Sequence, residues 1–85
     1  MGTITKQSIK KKLTEQISLS LGEEIENIRS DMLLHDLGLD SLGLVELFVF
    51  IENEFAIKLM ESGISQQDIM RIDSLSESIH KALNN

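Results

Sequence analysis

A helical period is the feature that most restricts this chain. Ile9, Leu13, Ile17 and Leu21 recur at every fourth position, with Lys10, Lys11, Lys12 and Glu15 between them. A helix turns through about 100° per residue, so this spacing lays the apolar side chains on one face and the charges on the other. Nowhere does the chain alternate apolar and polar residues as a half-buried strand would, and no hairpin turn is present. A chain with helical periods alone must bury those faces against one another, which makes it an all-α bundle. Its 85 residues suffice for one small domain, 1–85.

The spacing predicts a first helix over about residues 4–20, capped by Thr3 or Thr5 and stopped at Gly22. Residues 22–40 have no sustained period yet carry Ile25, Ile28, Met32, Leu33, Leu34, Leu37 and Leu39. A loop this long in so small a domain is unusual unless it is functional or held down, and its apolar residues predict that it tucks under the bundle. A second helix should begin at Asp40-Ser41, because an aspartate carboxylate accepts from the free N–H groups of a first turn. Leu44, Leu47, Phe48, Ile51 and Phe55 then share its core face. Leu42, Glu46, Val49 and Asn53 point outward, with Phe50 between the faces. Ser65-Gln66-Gln67-Asp68 has the form of a capping box for a short third helix that offers Ile69 and Met70 inward. Ser74-Leu75-Ser76-Glu77 is a second such box, opening a terminal helix with Leu75, Ile79, Ala82 and Leu83. The expected architecture is a four-helix bundle of three main helices and a short third, with a long ordered loop between the first and second.

Composition excludes several functions. Fourteen acids oppose eight Lys and Arg, a net charge of −6, which is the wrong sign for nucleic acid or an anionic membrane surface. With no Cys there is no disulfide, thiolate metal site or thiol nucleophile. His35 and His80 lie too far apart to suggest a metal pair, and Gly2, Gly22, Gly38, Gly43 and Gly63 never cluster into a phosphate loop. A catalytic triad needs a preorganised pocket that a bundle of this size rarely provides, so neither a catalytic residue nor a metal is expected. The densest apolar stretch, Leu47–Ile51, is far short of the ~20 residues that span a bilayer. Residues 1–6 lack a signal-peptide core, and Lys6 stands where myristoylation would need Ser or Thr. The expected protein is cytoplasmic and monomeric. Its charge is uneven. Lys6, Lys10, Lys11 and Lys12 face only Glu15 in the first 21 residues, whereas residues 22–56 hold nine acids against Arg29. That division predicts a negative face offered to a basic partner.

The run Leu33-Leu34-His35-Asp36-Leu37-Gly38-Leu39-Asp40-Ser41-Leu42 stands at a loop-to-helix junction. Together with the basic first helix, the long loop, Val45-Glu46-Leu47 and Glu52-Asn53-Glu54-Phe55, it resembles the acyl carrier proteins over most of the chain. The resemblance implies that Ser41, flanked by Asp40 and Leu42, carries 4′-phosphopantetheine taken from coenzyme A through a phosphodiester. Such an arm supplies the thiol that a chain without Cys needs to hold an acyl thioester. A helix start also favours a phosphate, through its free N–H groups and dipole. The implied partners are a phosphopantetheinyl transferase, an acyl-loading ligase or acyltransferase, and a ketosynthase or other enzyme with a basic docking surface. Asp36, Asp40, Glu46, Glu52 and Glu54 would meet such a surface, and Leu42 and Val49 would fill its apolar dimples. Some members sequester the acyl chain, which would bring Leu44, Leu47, Ile69 and Ile72 near the cargo.

The sequence departs from housekeeping fatty acid carriers at Gly43, where an acid is frequent, and at Asn53, Lys58 and Leu59-Met60, the last replacing an Ile-Pro pair. These departures point to a specialised freestanding carrier for polyketide, lipid or other secondary biosynthesis. The alternatives are a peptidyl or aminoacyl carrier, which usually shows Gly-Gly where Gly38-Leu39 stand, and an acidic helical adaptor that is never modified.

Overall fold

Thr5 starts the first helix. In the computed structural model, which describes residues 4–59 and 69–84, its hydroxyl accepts from the Ser8 N–H at 3.1 Å and α1 runs Lys6–Leu21. Gly22 stops it in the left-handed conformation at φ 69°, where its N–H reaches the Ser18 carbonyl. The segment that follows is more ordered than a loop. It holds a 3₁₀ turn at Ile25–Asn27 and a one-turn helix, α2, at Leu34–Leu37. Leu34 and Leu39 are buried, and Ile28, Met32, Leu33 and Leu37 half-buried, as a tucked segment requires. Ile25 departs from that reading: it opens the 3₁₀ turn on its outer side and is 48% exposed.

α3 runs Ser41–Phe55 and ends at Ala56 in the left-handed region, at φ 55°. Past that end the Leu59 N–H donates to Glu52 Oε2 at 3.2 Å, folding the chain back along the helix. The last helix, α4, runs Ile72–Leu83. It starts two residues before the predicted box, so Ser74 lies inside the helix and its hydroxyl donates to the Arg71 carbonyl at 3.2 Å. Long-range bonds explain the earlier start. Leu33 and Arg71 form an antiparallel bridge. The Leu34 N–H donates to the Met70 carbonyl at 2.7 Å, and the Asp73 N–H to the Ser30 carbonyl at 3.1 Å. The chain direction is therefore fixed before Ile72. The same arrangement leaves Met70, expected inward, 48% exposed, while Ile69 packs half-buried against the core. The predicted third helix from Ser65 lies outside the described residues.

The core is what the three helical periods demand. Ile9, Leu13 and Ile17 of α1 meet Leu47, Ile51 and Phe55 of α3 and Ile72, Leu75 and Ile79 of α4, with Leu34, Leu39 and Leu59 closing the ends. Leu44 and Phe48, assigned to the core face of α3, are half-buried at its margin. Truncating one of the fully buried Leu or Ile side chains to Ala would cost roughly 2–5 kcal/mol. Ser76 is also fully buried, and its hydroxyl is satisfied by the Ile72 carbonyl at 2.6 Å. The fold is all-α: among the described residues there is no strand beyond the isolated bridge. No helix among them is long and apolar enough to cross a membrane.

The lysines of α1 turn toward the protein's own acids. Lys6 pairs with Glu77 at 3.5 Å, Lys10 with Asp73 at 2.6 Å, and Lys12 with Glu54 at 2.6 Å. Each partner is more than a third exposed, so each pair contributes only about 0.2–1 kcal/mol.

Candidate functional site

The junction around Ser41 is built from three local devices. Gly38 ends α2 at φ 107°, a conformation that side-chain-bearing residues rarely adopt, and turns the chain toward α3. Leu39, 4% exposed, anchors the turn in the core. Asp40 then caps α3, its Oδ1 accepting from the Gly43 N–H at 2.8 Å while its carbonyl takes the Leu44 N–H at 3.0 Å. Ser41 is the first residue of α3, and it is exposed. Its hydroxyl is thus presented to solvent at the helix start, on backbone fixed by the residues on either side.

Gly43, the third helical residue, is buried against the same anchor. A Cβ there would come within 2.8 Å of Leu39 Cδ2 and 3.3 Å of Asp40 Oδ1. The sequence marks Gly43 as a departure where an acid is frequent, and does not reveal this close approach.

The side chains assigned to partner contact fall into two groups. Asp36, Asp40 and Glu46 are exposed, and Leu42 and Val49 are 66% and 52% exposed on the outer face of α3. Glu52 and Glu54 are exposed but engaged, Glu52 with the Leu59 N–H and Glu54 with Lys12. Val45 belongs with the first group at 54% exposed, and sequence reasoning passed over it. Its spacing carried the signal, since it lies three residues after Leu42 and four before Val49.

A cavity of about 300 Å³ opens beside the first turn of α3, lined by Leu33, Leu34, His35, Leu44, Ile69 and Met70. Of the four residues expected near a cargo, Leu44 and Ile69 line it. Leu47 and Ile72 do not: at 1% and 0% exposed they are core residues, Leu47 lying nearly a turn further along α3. Residues three apart on a helix are neighbours, so Ser41 and Leu44 share a side of α3, and the exposed hydroxyl and the apolar cavity lie close together.

The family model described as the C-terminal ACP domain of the highly reducing polyketide synthase sdgA matches residues 2–85. The chain belongs to the acyl carrier protein family. Among curated relatives, this carrier is 37% identical over 83 residues to an acyl carrier protein of Cyanidium caldarium, covering 96% of this chain and 94% of that one. It is 37% identical over 79 residues to the non-reducing polyketide synthase dbaI of Emericella nidulans, covering 88% of this chain but spanning only 3% of the synthase. The D-alanyl carrier protein of Streptococcus uberis is 29% identical over 77 residues, covering 91% of this chain and 98% of that one. No solved structure matches the chain at the significance of these relatives.

Proposed function

We propose that this carrier holds acyl groups as thioesters of a 4′-phosphopantetheine arm attached at Ser41 and presents them to the enzymes of a polyketide, fatty acid or related biosynthetic pathway. The observation that carries the reading is the exposed Ser41 hydroxyl at the first position of a 15-residue helix, between the cap Asp40 and the outward Leu42. When attached, the arm supplies the thiol that a chain without Cys lacks. Ser41 fits that attachment because its oxygen is open to a transferase. The first-turn N–H groups of α3, together with the positive end of its dipole, favour the phosphate of a phosphodiester. Ser41 is then an attachment point, and the chemistry on the cargo belongs to the partner enzymes.

The cavity supports an acyl cargo over an aminoacyl one. Among the described residues its lining is apolar apart from His35 and holds no carboxylate to receive an ammonium group. Leu44 and Ile69 would meet the hydrocarbon. Asp36, Asp40, Glu46, Leu42 and Val49 would meet the transferase, a loading ligase or acyltransferase, and a ketosynthase, with Glu52 at the edge of that contact. Exposed charges of this kind steer encounter more than they raise affinity, which suits a shuttle. Likeness to the carrier domain of a polyketide synthase favours that pathway class.

Intact mass after incubation with coenzyme A and a broad-specificity phosphopantetheinyl transferase tests the reading. Wild-type chain should gain one phosphopantetheine, and Ser41→Ala none. A wild-type chain left unmodified by several transferases would leave the acidic adaptor as the better account.

A further inference from the structure

Along the line where α1 and α3 meet, the surface is incompletely filled. One depression of about 220 Å³ is walled by Ser20, Leu21, Leu42 and Glu46. A second, of about 480 Å³, is walled by Gln16, Leu19, Val45 and Val49, and a third, of about 230 Å³, by Lys12, Glu15, Phe50 and Glu54. Neighbouring depressions share their lining, Ser20 and Glu46 at one junction and Gln16 and Leu19 at the other. They form one continuous trench.

Its direction follows from two contacts. Leu21 Cδ2 lies 3.6 Å from where a Cβ on Gly38 would stand, while Lys12 Nζ meets Glu54 2.6 Å away at the other end. The two helices are therefore antiparallel, and the trench runs between a stripe at Gln16, Leu19 and Ser20 and another at Leu42, Val45 and Val49. Both stripes have the three- and four-residue spacing of one helix face.

Apolar exposure is concentrated here. Leu19 at 78%, Leu42 at 66%, Val45 at 54% and Val49 at 52% are four of the seven large apolar side chains exposed among the described residues. Scattered exposed side chains need no explanation, but a contiguous group rimmed by polar residues marks an interaction surface. Leu19 is the decisive member. It stands two positions past Ile17, well off the Ile9–Leu13–Ile17 stripe, and the core makes no use of it. The rim carries Glu15, Asp40 and Glu46, and the cation at the far end, Lys12, is already paired with Glu54. An occupant that complements such a trench is apolar along its middle and cationic at its edges. From Lys12 to Leu21 a helix rises roughly 14 Å, the length of two to three helical turns.

We propose that the α1–α3 trench is a docking groove for a short amphipathic helix of a partner protein, with an apolar stripe flanked by Lys or Arg, and that Leu19 is its anchor on α1. The inference rests on the carrier reading for why a partner visits, and it extends the docking face from α3 onto α1.

The test is a titration of the isotope-labelled Ser41→Ala chain, which cannot be modified, with a synthetic helical peptide of about 14 residues bearing a Leu stripe and Lys/Arg flanks. The amides of Gln16, Leu19, Val45 and Val49 should shift first. Leu19→Ser, at a position exposed enough to leave the fold intact, should weaken binding at least about fivefold. Ile25→Ser, which removes an exposed apolar side chain elsewhere, should leave binding unchanged. Equal affinity for Leu19→Ser, with shifts spread over Glu23, Glu24 and Glu26, would overturn the proposal in favour of diffuse charge attraction. So would shifts of the trench amides that grow with chain concentration before any peptide is added, since the occupant would then be a second copy. Failure of the carrier reading appears elsewhere, as a wild-type chain that gains no phosphopantetheine mass.

Discussion

Gly43 illustrates how much of the site is decided by single atoms. Glycine in a helix costs roughly 1 kcal/mol relative to alanine, so Gly43→Ala would ordinarily be stabilising. Here the added Cβ would come within 2.8 Å of Leu39 Cδ2, so the Leu39 side chain, 4% exposed, must shift to admit it. Displacing Leu39 from its packed position costs about 1–3 kcal/mol, which outweighs the propensity gain. Gly43→Ala should therefore lower stability in the native background and raise it by about 1 kcal/mol once Leu39→Ala has removed the obstruction. Urea unfolding of the four chains in that cycle measures both effects. A Gly43→Ala chain more stable than wild type would contradict the packing argument. The capping aspartate and the exposed serine were legible in the sequence, because an N-cap is a local motif. The Leu39–Gly43 contact was not, because a rotamer and a backbone turn decide it.

Among the elements, α1 ties the bundle together through its charged side as well as its apolar one. Lys10 donates to Asp73 in the first turn of α4, and this hydrogen bond is the main reason that the Asp73 carboxyl titrates below its ordinary 3.8. Ser30 adds a second hydrogen bond, and partial burial opposes both. A carboxylate with a depressed folded pKa adds stability above its unfolded pKa and loses it as pH falls through 3.8 toward the folded value. Asp73→Asn should then cost about 0.2–1 kcal/mol at neutral pH. The gap from wild type should close as both chains are taken below 3.8. Unfolding midpoints against pH read this directly, and a gap unchanged in strong acid would show that the carboxylate charge is not what Asp73 contributes. Element boundaries were legible wherever a local stop or cap exists, at Thr5, Gly22 and Asp40. The one-turn α2 and the 3₁₀ turn have no period to read, and the start of α4 is set by bonds to Ser30 and Leu33–Leu34, some forty residues away in sequence.

For the whole molecule, net charge and ion pairing pull in opposite directions when salt is added. Screening relieves the mutual repulsion of an excess of acids and also weakens the three pairs that α1 makes. Those pairs are exposed and individually weak, so the repulsion governs. Sodium chloride should raise the melting temperature by a few degrees, about 2–6 °C, and magnesium at equal ionic strength by more. No change between low salt and added magnesium would count against a concentrated acidic face.

The pairing of α1 has one more consequence. Lys6, Lys10 and Lys12 cancel acids on α3 and α4, while Glu23, Glu24, Glu26, Asp36 and Glu46 stand exposed with no ion pair among the described residues. Among the described residues, the acids left unpaired therefore gather on the segments that lead into and begin α3, toward the Ser41 end. In the field of any cationic surface a body charged in this way feels a torque before it feels a contact, and it arrives already rotated with its serine leading.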